Sequence, residues 1–148
     1  MEKGMNRLSE ELVKALQGEK IVTLATLDSQ TNLPQLSAVS WVLAAEDGTK
    51  VRIAVGHKAS TVDNIGHNPN VVLGVIGAGS YYSVRGTAEV SDIYEKTMKL
   101  RIITVHVEEV EDVIFYGGRI TVEPAYEKTY NPELAKKLDE EVYELLRQ

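Results

Sequence analysis

Apolar residues recur at i, i+4, i+7 and i+8 through Leu8, Leu12, Ala15 and Leu16, predicting a short amphipathic helix over about residues 5–17, with Gly18 as its stop. Ile21 to Thr26, brief and β-branched, predicts a strand, and Asp28 to Asn32 ahead of Pro34 predicts a turn. Leu36 to Ala45 reads as one strand with two apolar faces, Leu36, Ala38, Val42 and Ala44 against Val39, Trp41 and Leu43. Such a strand needs cover on both sides. Asp47-Gly48 is a hairpin signal that returns Val51 to Val55 antiparallel. The run G-H-K-A-S-T-V-D-N-I-G-H-N-P then predicts a loop feeding a short helix, capped by Ser60 and ended by Asn68-Pro69. Val71 to Ile76 and Tyr81 to Val90, flanking Gly77-Ala78-Gly79, predict a further pair of strands.

Between Asp92 and Tyr116 the apolar positions Ile93, Met98, Ile102, Val107, Val110 and Ile114 fall at roughly helical intervals, predicting one broken helix or two. Arg119 to Tyr126 predicts a last strand, at an edge or bulged because of Pro124. The closing helix, about residues 132–146, has Asn131 as cap, Pro132 in the first turn, Glu133 at the positive end of the dipole, and a stripe of Leu134, Leu138, Val142, Leu145 and Leu146. Six or so short antiparallel strands with helices at both ends predict a mainly β single domain over residues 1–148, a small barrel. The two-sided strand implies contact with a second copy or with a covering helix.

Composition narrows the chemistry. At 148 residues, 43% apolar and 26% charged, the chain has the make-up of one ordinary globular domain. A net charge of −6 without a dense basic run disfavours nucleic acid and anionic membranes, so an anionic ligand needs a local site. The absence of cysteine excludes disulfides, thiol catalysis and thiolate metal sites. No signal sequence or membrane span is apparent, so a cytoplasmic location is expected.

The strongest local signal is the loop-to-helix junction at His57 to Asn64. A helix N-terminus offers unpaired N–H groups and partial positive charge, to which Lys58, Ser60 and Thr61 add an ammonium and two hydroxyls. Taken alone, the segment also reads as a capped surface helix beside a solvated lysine. Ser37 and Ser40 interrupt an apolar strand, where they bond either to neighbouring backbone or to a polar ligand lying across it. A flat aromatic ligand suits that strand, through main-chain bonds along its edge and packing on Val39 or Trp41. His57, His67 and His106 lack metal-ligand spacing, the acidic run Glu108 to Asp112 reads as a solvated helix face, and Arg85 as solvated or paired across strands.

The ordered pieces L-P-Q-L-S-A-V-S-W-V, D-G-T-K-V-R-I-A-V-G-H-K-A-S-T-V-D-N-I-G-H-N-P-N-V-V-L and S-V-R-G-T-A-E-V resemble the FMN-binding split β-barrel family, the pyridoxamine 5′-phosphate oxidase-like proteins. The resemblance covers about Ile21 to Val90, and it is closest to the small FMN-binding proteins. It implies a six-stranded antiparallel split β-barrel, a homodimer, and FMN in a groove at the dimer interface. It also implies that Ser37, Ala38, Val39 and Ser40 run along the ring and ribityl chain, that Ala54, Val55 and Gly56 form the neighbouring strand end, and that Lys58, Ser60 and Thr61 bind phosphate. The register within H-K-A-S-T stays open, since Ala59 and Ser60 separate Lys58 from Thr61. Tyr81 or Tyr82 is implied to reach the flavin from the partner subunit.

One departure bears on activity. True pyridoxamine phosphate oxidases resemble one another in a C-terminal segment whose Arg and His grip the substrate, whereas after Pro124 this chain has neither before Arg147. Oxidation of pyridoxamine phosphate is therefore not expected. Two readings remain, an FMN-dependent oxidoreductase with a small-molecule redox partner, and a non-enzymatic FMN-binding or electron-transfer module. Relatives of the barrel bind deazaflavin or haem, which is a third.

Overall fold

In the computed structural model, which describes residues 5–148, turn chemistry fixes the strand order locally. β1 (Val22–Leu27) and β2 (Pro34–Val39) pair around Asp28, whose carboxylate accepts from the backbone of Thr31 and Gln30 at 2.9 Å, and these bonds hold its pKa below the ordinary range. β3 (Val42–Ala44) and β4 (Lys50–Gly56) form the expected hairpin. Its Gly48 has φ 75°, and a Cβ there would lie 2.5 Å from the Leu8 carbonyl oxygen, so glycine lets the turn close against the start of α1 (Glu10–Ala15). α2 (Ser60–His67), β5 (Asn70–Gly77), β6 (Ser80–Val90), β7 (Tyr94–Glu95), β8 (Lys99–Asp112) and α3 (Pro132–Leu146) follow.

The strands form one antiparallel sheet in the order β2-β1-β5-β6-β8-β4-β3, with β7 added to β8. Only Ser40 and Trp41 separate β2 from β3, yet these strands end the order on opposite sides. The sheet must therefore curl until its edges meet at that step, which makes it a split barrel flanked by helices. Its inward face carries Val22, Leu24, Ile53, Leu73, Val75, Val84 and Ile103, and Leu12 of α1 and Leu16 at its C-terminal cap pack into the same cluster. A second, smaller cluster lies outside the barrel wall, where Val142, Tyr143, Leu145 and Leu146 of α3 cover Ala54, Leu100 and Ile102. Asn131 caps α3 as expected, accepting from Glu133 N and Leu134 N at 2.9 and 3.1 Å. Among the described residues no helix is long and apolar enough to cross a membrane.

Six expectations are corrected. The segment expected as helix between Asp92 and Tyr116 is β7 and the long strand β8, central between β6 and β4. Its Ile103 and Val105 face the core while Leu100 and Ile102 face α3, so both sides are apolar and the strand period of two is hidden. The run Leu36 to Ala45 is two strands, and the unpaired step between them reverses the alternation. Leu36 and Ala38 pair with Ala25 and Thr23 on the outward face, whereas Val42 and Ala44 point into the core. Arg119 to Tyr126 is irregular, tethered by Ile120 N to Gly79 O at 2.8 Å and otherwise largely exposed. Ser60 is the first helical residue of α2, not its cap. The acidic run accordingly lies on β8, where Glu109 pairs with Arg85 at 2.6 Å. The N-terminal helix is shorter than its expected span of 5–17.

Candidate functional site

At the split, two strand edges lack a neighbouring strand. β2 pairs with β1 alone, and β4, paired with β8 on its other side, runs past the end of β3, whose Val42 is matched with Ile53, so that Ala54 to Gly56 have no strand on this edge and Ala54 N donates to the Trp41 carbonyl at 3.0 Å. Between these edges and α2 lies a cleft of about 410 Å³, walled by Ser37 to Trp41, Ala54 to Gly56 and Ala59 to Thr61. Its two ends are chemically distinct. Gln35 Nε2 donates to Ser60 Oγ at 2.7 Å, placing the start of β2 beside the N-terminus of α2. The other end of β2 reaches the Ser40–Trp41 step beside Ala54, about 16 Å away at roughly 3.3 Å per residue.

The α2 end carries an unmet polar demand. Ala59 is the N-cap, and no side chain caps the helix. Thr61 is only 3% exposed and its Oγ1 has no hydrogen-bond partner among the described residues. The helix is held firmly in place, because buried Asn64 donates from Nδ2 to Thr26 Oγ1 at 3.0 Å and accepts from Ser29 N at 2.9 Å. A buried hydroxyl, first-turn N–H groups and a positive dipole end thus converge on one rigid corner, an arrangement that suits an oxyanion.

The structure gathers nine of the sequence-derived residues into these walls: Ser37, Ala38, Val39, Ser40, Ala54, Val55, Gly56, Ser60 and Thr61. Lys58 is exposed in the loop before α2 and is not in the wall. Tyr82 lies elsewhere, packed against the main core; burial, with Asp112 and Glu11 nearby, pushes its phenol pKa up. Tyr81 lies next to Gly74, where a Cβ would approach its hydroxyl to 2.8 Å, on the outward sheet face. Ala59 is a wall residue that sequence reasoning did not single out, and Trp41, expected to pack on a flat ligand, is in the wall as well. No wall residue is ionisable. Larger hollows, of about 530 and 570 Å³, lie beside Lys20 and Arg85, but those cations are paired with Glu123 and Glu109. Among the described residues no group of three His, Asp or Glu forms a metal site.

Residues 8–114 match the family model described as pyridoxamine 5′-phosphate oxidase. The chain belongs to the pyridoxamine 5′-phosphate oxidase family. The matched span takes in the barrel together with α1 and α2 and ends before the irregular segment and α3. A search of curated proteins finds no match. Solved structures share the family fold. A Lactobacillus delbrueckii protein described as a candidate pyridoxamine 5′-phosphate oxidase is 21% identical, with TM-score 0.62, over 74% of this chain and 99% of its own. HupZ from Group A Streptococcus is 16% identical, with TM-score 0.57, over 75% and 94%. An F420 reductase is 22% identical, with TM-score 0.53, over 66% and 94%.

Proposed function

We propose that the cleft binds FMN, with the phosphate at the α2 end and the ring toward Ser40 and Trp41, and that the chain is an FMN-dependent oxidoreductase. The observation that carries this reading is Thr61, a residue of the cleft wall beside an uncapped helix N-terminus, whose buried Oγ1 has no hydrogen-bond partner among the described residues. Thr61 and Ser60 donate hydroxyl hydrogens to the phosphate, the first-turn N–H groups donate alongside them, and Lys58 supplies positive charge from the adjoining loop. The free edge of β2 offers alternating N–H and C=O groups to the heteroatoms of the ring. Bound FMN supplies hydride or single-electron transfer. With no ionisable side chain in the walls, this chain's own contribution is to bind, orient and exclude water.

The same reading makes the protein a homodimer. Leu36, 70% exposed, accompanies Ala25, Val72 and Tyr81 on an uncovered outward face continuous with β2. A second copy seated there would lie against the strand that forms one wall of the cleft and would bring its own Tyr81 to that interface.

An ultraviolet–visible spectrum of the purified protein, with chromatography of the chromophore released by heat, tests the cofactor. FMN at about one per chain is the expected result; a colourless protein that takes up no added FMN contradicts it. The ion-free walls favour a second reading, an electron-transfer module without turnover of its own. Steady-state NAD(P)H oxidation with added acceptors supports the oxidoreductase; reduction without turnover supports the module. Deazaflavin offered in place of FMN tests the remaining alternative. Absence of pyridoxamine phosphate oxidation is expected, because the chain after Pro124 lacks Arg and His before Arg147.

A further inference from the structure

The far end of the cleft is held by residues that do not line it. Trp41, the single tryptophan of the chain, donates from Nε1 to Asp139 Oδ1 at 2.9 Å. Lys128 Nζ pairs with that carboxylate and with Glu19 Oε1, the latter at 2.8 Å, and stands 5.5 Å from the indole centroid. Tyr126 donates its hydroxyl to Glu19 Oε2 at 2.6 Å, and Tyr143 reaches the Ser40 carbonyl at 3.4 Å. The connection after α1, the β2–β3 step, the irregular segment and α3 therefore meet at one point.

That junction is more than α3 needs for attachment. Val142, Leu145 and Leu146 already fasten the helix to Ala54, Leu100 and Ile102 through apolar contact. Three partly buried charges carry a desolvation cost, and what such a cluster gives in return is defined geometry. The geometry here belongs to Ser40 and Trp41, the two residues that carry the chain between the sheet edges and close the cleft.

We propose that Asp139 and Lys128 are positioning residues that hold the Ser40–Trp41 step at the spacing from Ala54 required by a planar aromatic ring. The proposal rests on the FMN reading, which puts the ring at this end. It assigns a role to α3 and to the segment before it, both beyond the span of the family match.

The test compares the whole chain with Asp139→Ala and Lys128→Met for affinity toward FMN and riboflavin by equilibrium dialysis, together with Trp41 emission without ligand. A brace at the ring end predicts that both ligands weaken by the same factor, about tenfold, with their affinity ratio preserved. Trp41 emission shifts to longer wavelength as water replaces the lost partners. Should Asp139→Ala fail to fold, Asp139→Asn, which keeps an acceptor for the indole N–H but loses the charge pair with Lys128, serves in the same comparison. Flavin binding by the wild type with unchanged affinity in the folded variants overturns the positioning role and leaves the FMN reading standing. A wild type that takes up neither flavin overturns the FMN reading and the positioning role with it.

Discussion

β2 and β3 lie two residues apart and share an apolar vocabulary, yet one is bare and the other covered. Val42 and Ala44 of β3 are buried in the main core, where the carbonyl of Leu16, at the end of α1, accepts from Ala44 N at 2.8 Å, whereas the outward-facing Leu36 of β2 is 70% exposed. Each strand supplies an edge, but only β3 is covered on both faces within the chain, Val42 and Ala44 by the main core and Leu43 by the cluster beneath α3. Cover is thus a property of what packs on a strand, and the strand left uncovered is the one that forms a cleft wall on one side and an apolar outward surface on the other.

A charge buried in β3 has the largest expected effect. Val42→Asp is expected to cost more than about 3 kcal/mol, because the core around it has no partner for a carboxylate. Leu36→Asp in the bare strand is expected to leave the folded chain within about 0.5 kcal/mol in denaturant titration, allowing for its exposed position. Its effect should appear in light scattering instead, as a shift from dimer to monomer. A monomeric wild type, or a Leu36→Asp variant that stays dimeric, removes the outward face from the account.

Acid sharpens the comparison at the step between the strands. Burial pushes the Asp139 carboxyl up, but hydrogen bonds from Lys128 and Trp41 outweigh it and hold the pKa below 3.8. The folded state thus favours the ionised form, so this contribution is present above the unfolded value and is lost as pH falls through the folded one. Trp41 emission should accordingly be steady down to about pH 4 and change below it. At the alkaline end, burial and the bond to Glu19 push Tyr126 up to about 12. Its contribution is intact below the ordinary tyrosine value of about 10 and is lost as pH rises toward the folded value. Absorbance titration of the phenols in native and unfolded chain checks that sign.

The smallest effect belongs to the lysine in the loop before α2. Lys58 is exposed and outside the cleft wall, so Lys58→Ala should weaken FMN binding by no more than about threefold at physiological salt, and less at high salt. A larger loss, measured by dialysis in two salt concentrations, would place the lysine in direct contact with phosphate.

The strands with one buried face and a strong turn were legible from residues alone, as the Asp47-Gly48 hairpin and the capped α3 show. Part of the cleft wall was also legible, because Ser37, Ser40 and the H-K-A-S-T junction are polar where periodicity calls for burial or for a helix start, whereas Ala54 to Gly56 followed only from the family resemblance. β8 was not, since α3 and the barrel core cover its two sides and leave no alternation to read. The break at Ser40–Trp41 was equally hidden, because nothing in L-S-A-V-S-W-V-L announces that the chain changes sheet edge there. Nor does the chain before α3 carry any local sign of the contacts that tie Lys128 to Glu19 and Asp139, residues 109 and 11 positions away.

The central claim is that Thr61 at the N-terminus of α2 receives a phosphate. Affinities of the wild type and Thr61→Val for FMN and riboflavin, measured by calorimetry on the same preparation, test it most directly. The account predicts that the wild type binds FMN more tightly than riboflavin, and that Thr61→Val loses about ten- to a hundredfold for FMN while leaving riboflavin unchanged, the usual worth of a hydrogen bond to a charged group. Equal affinity of the wild type for the two ligands, or an equal loss for both in the variant, would contradict it.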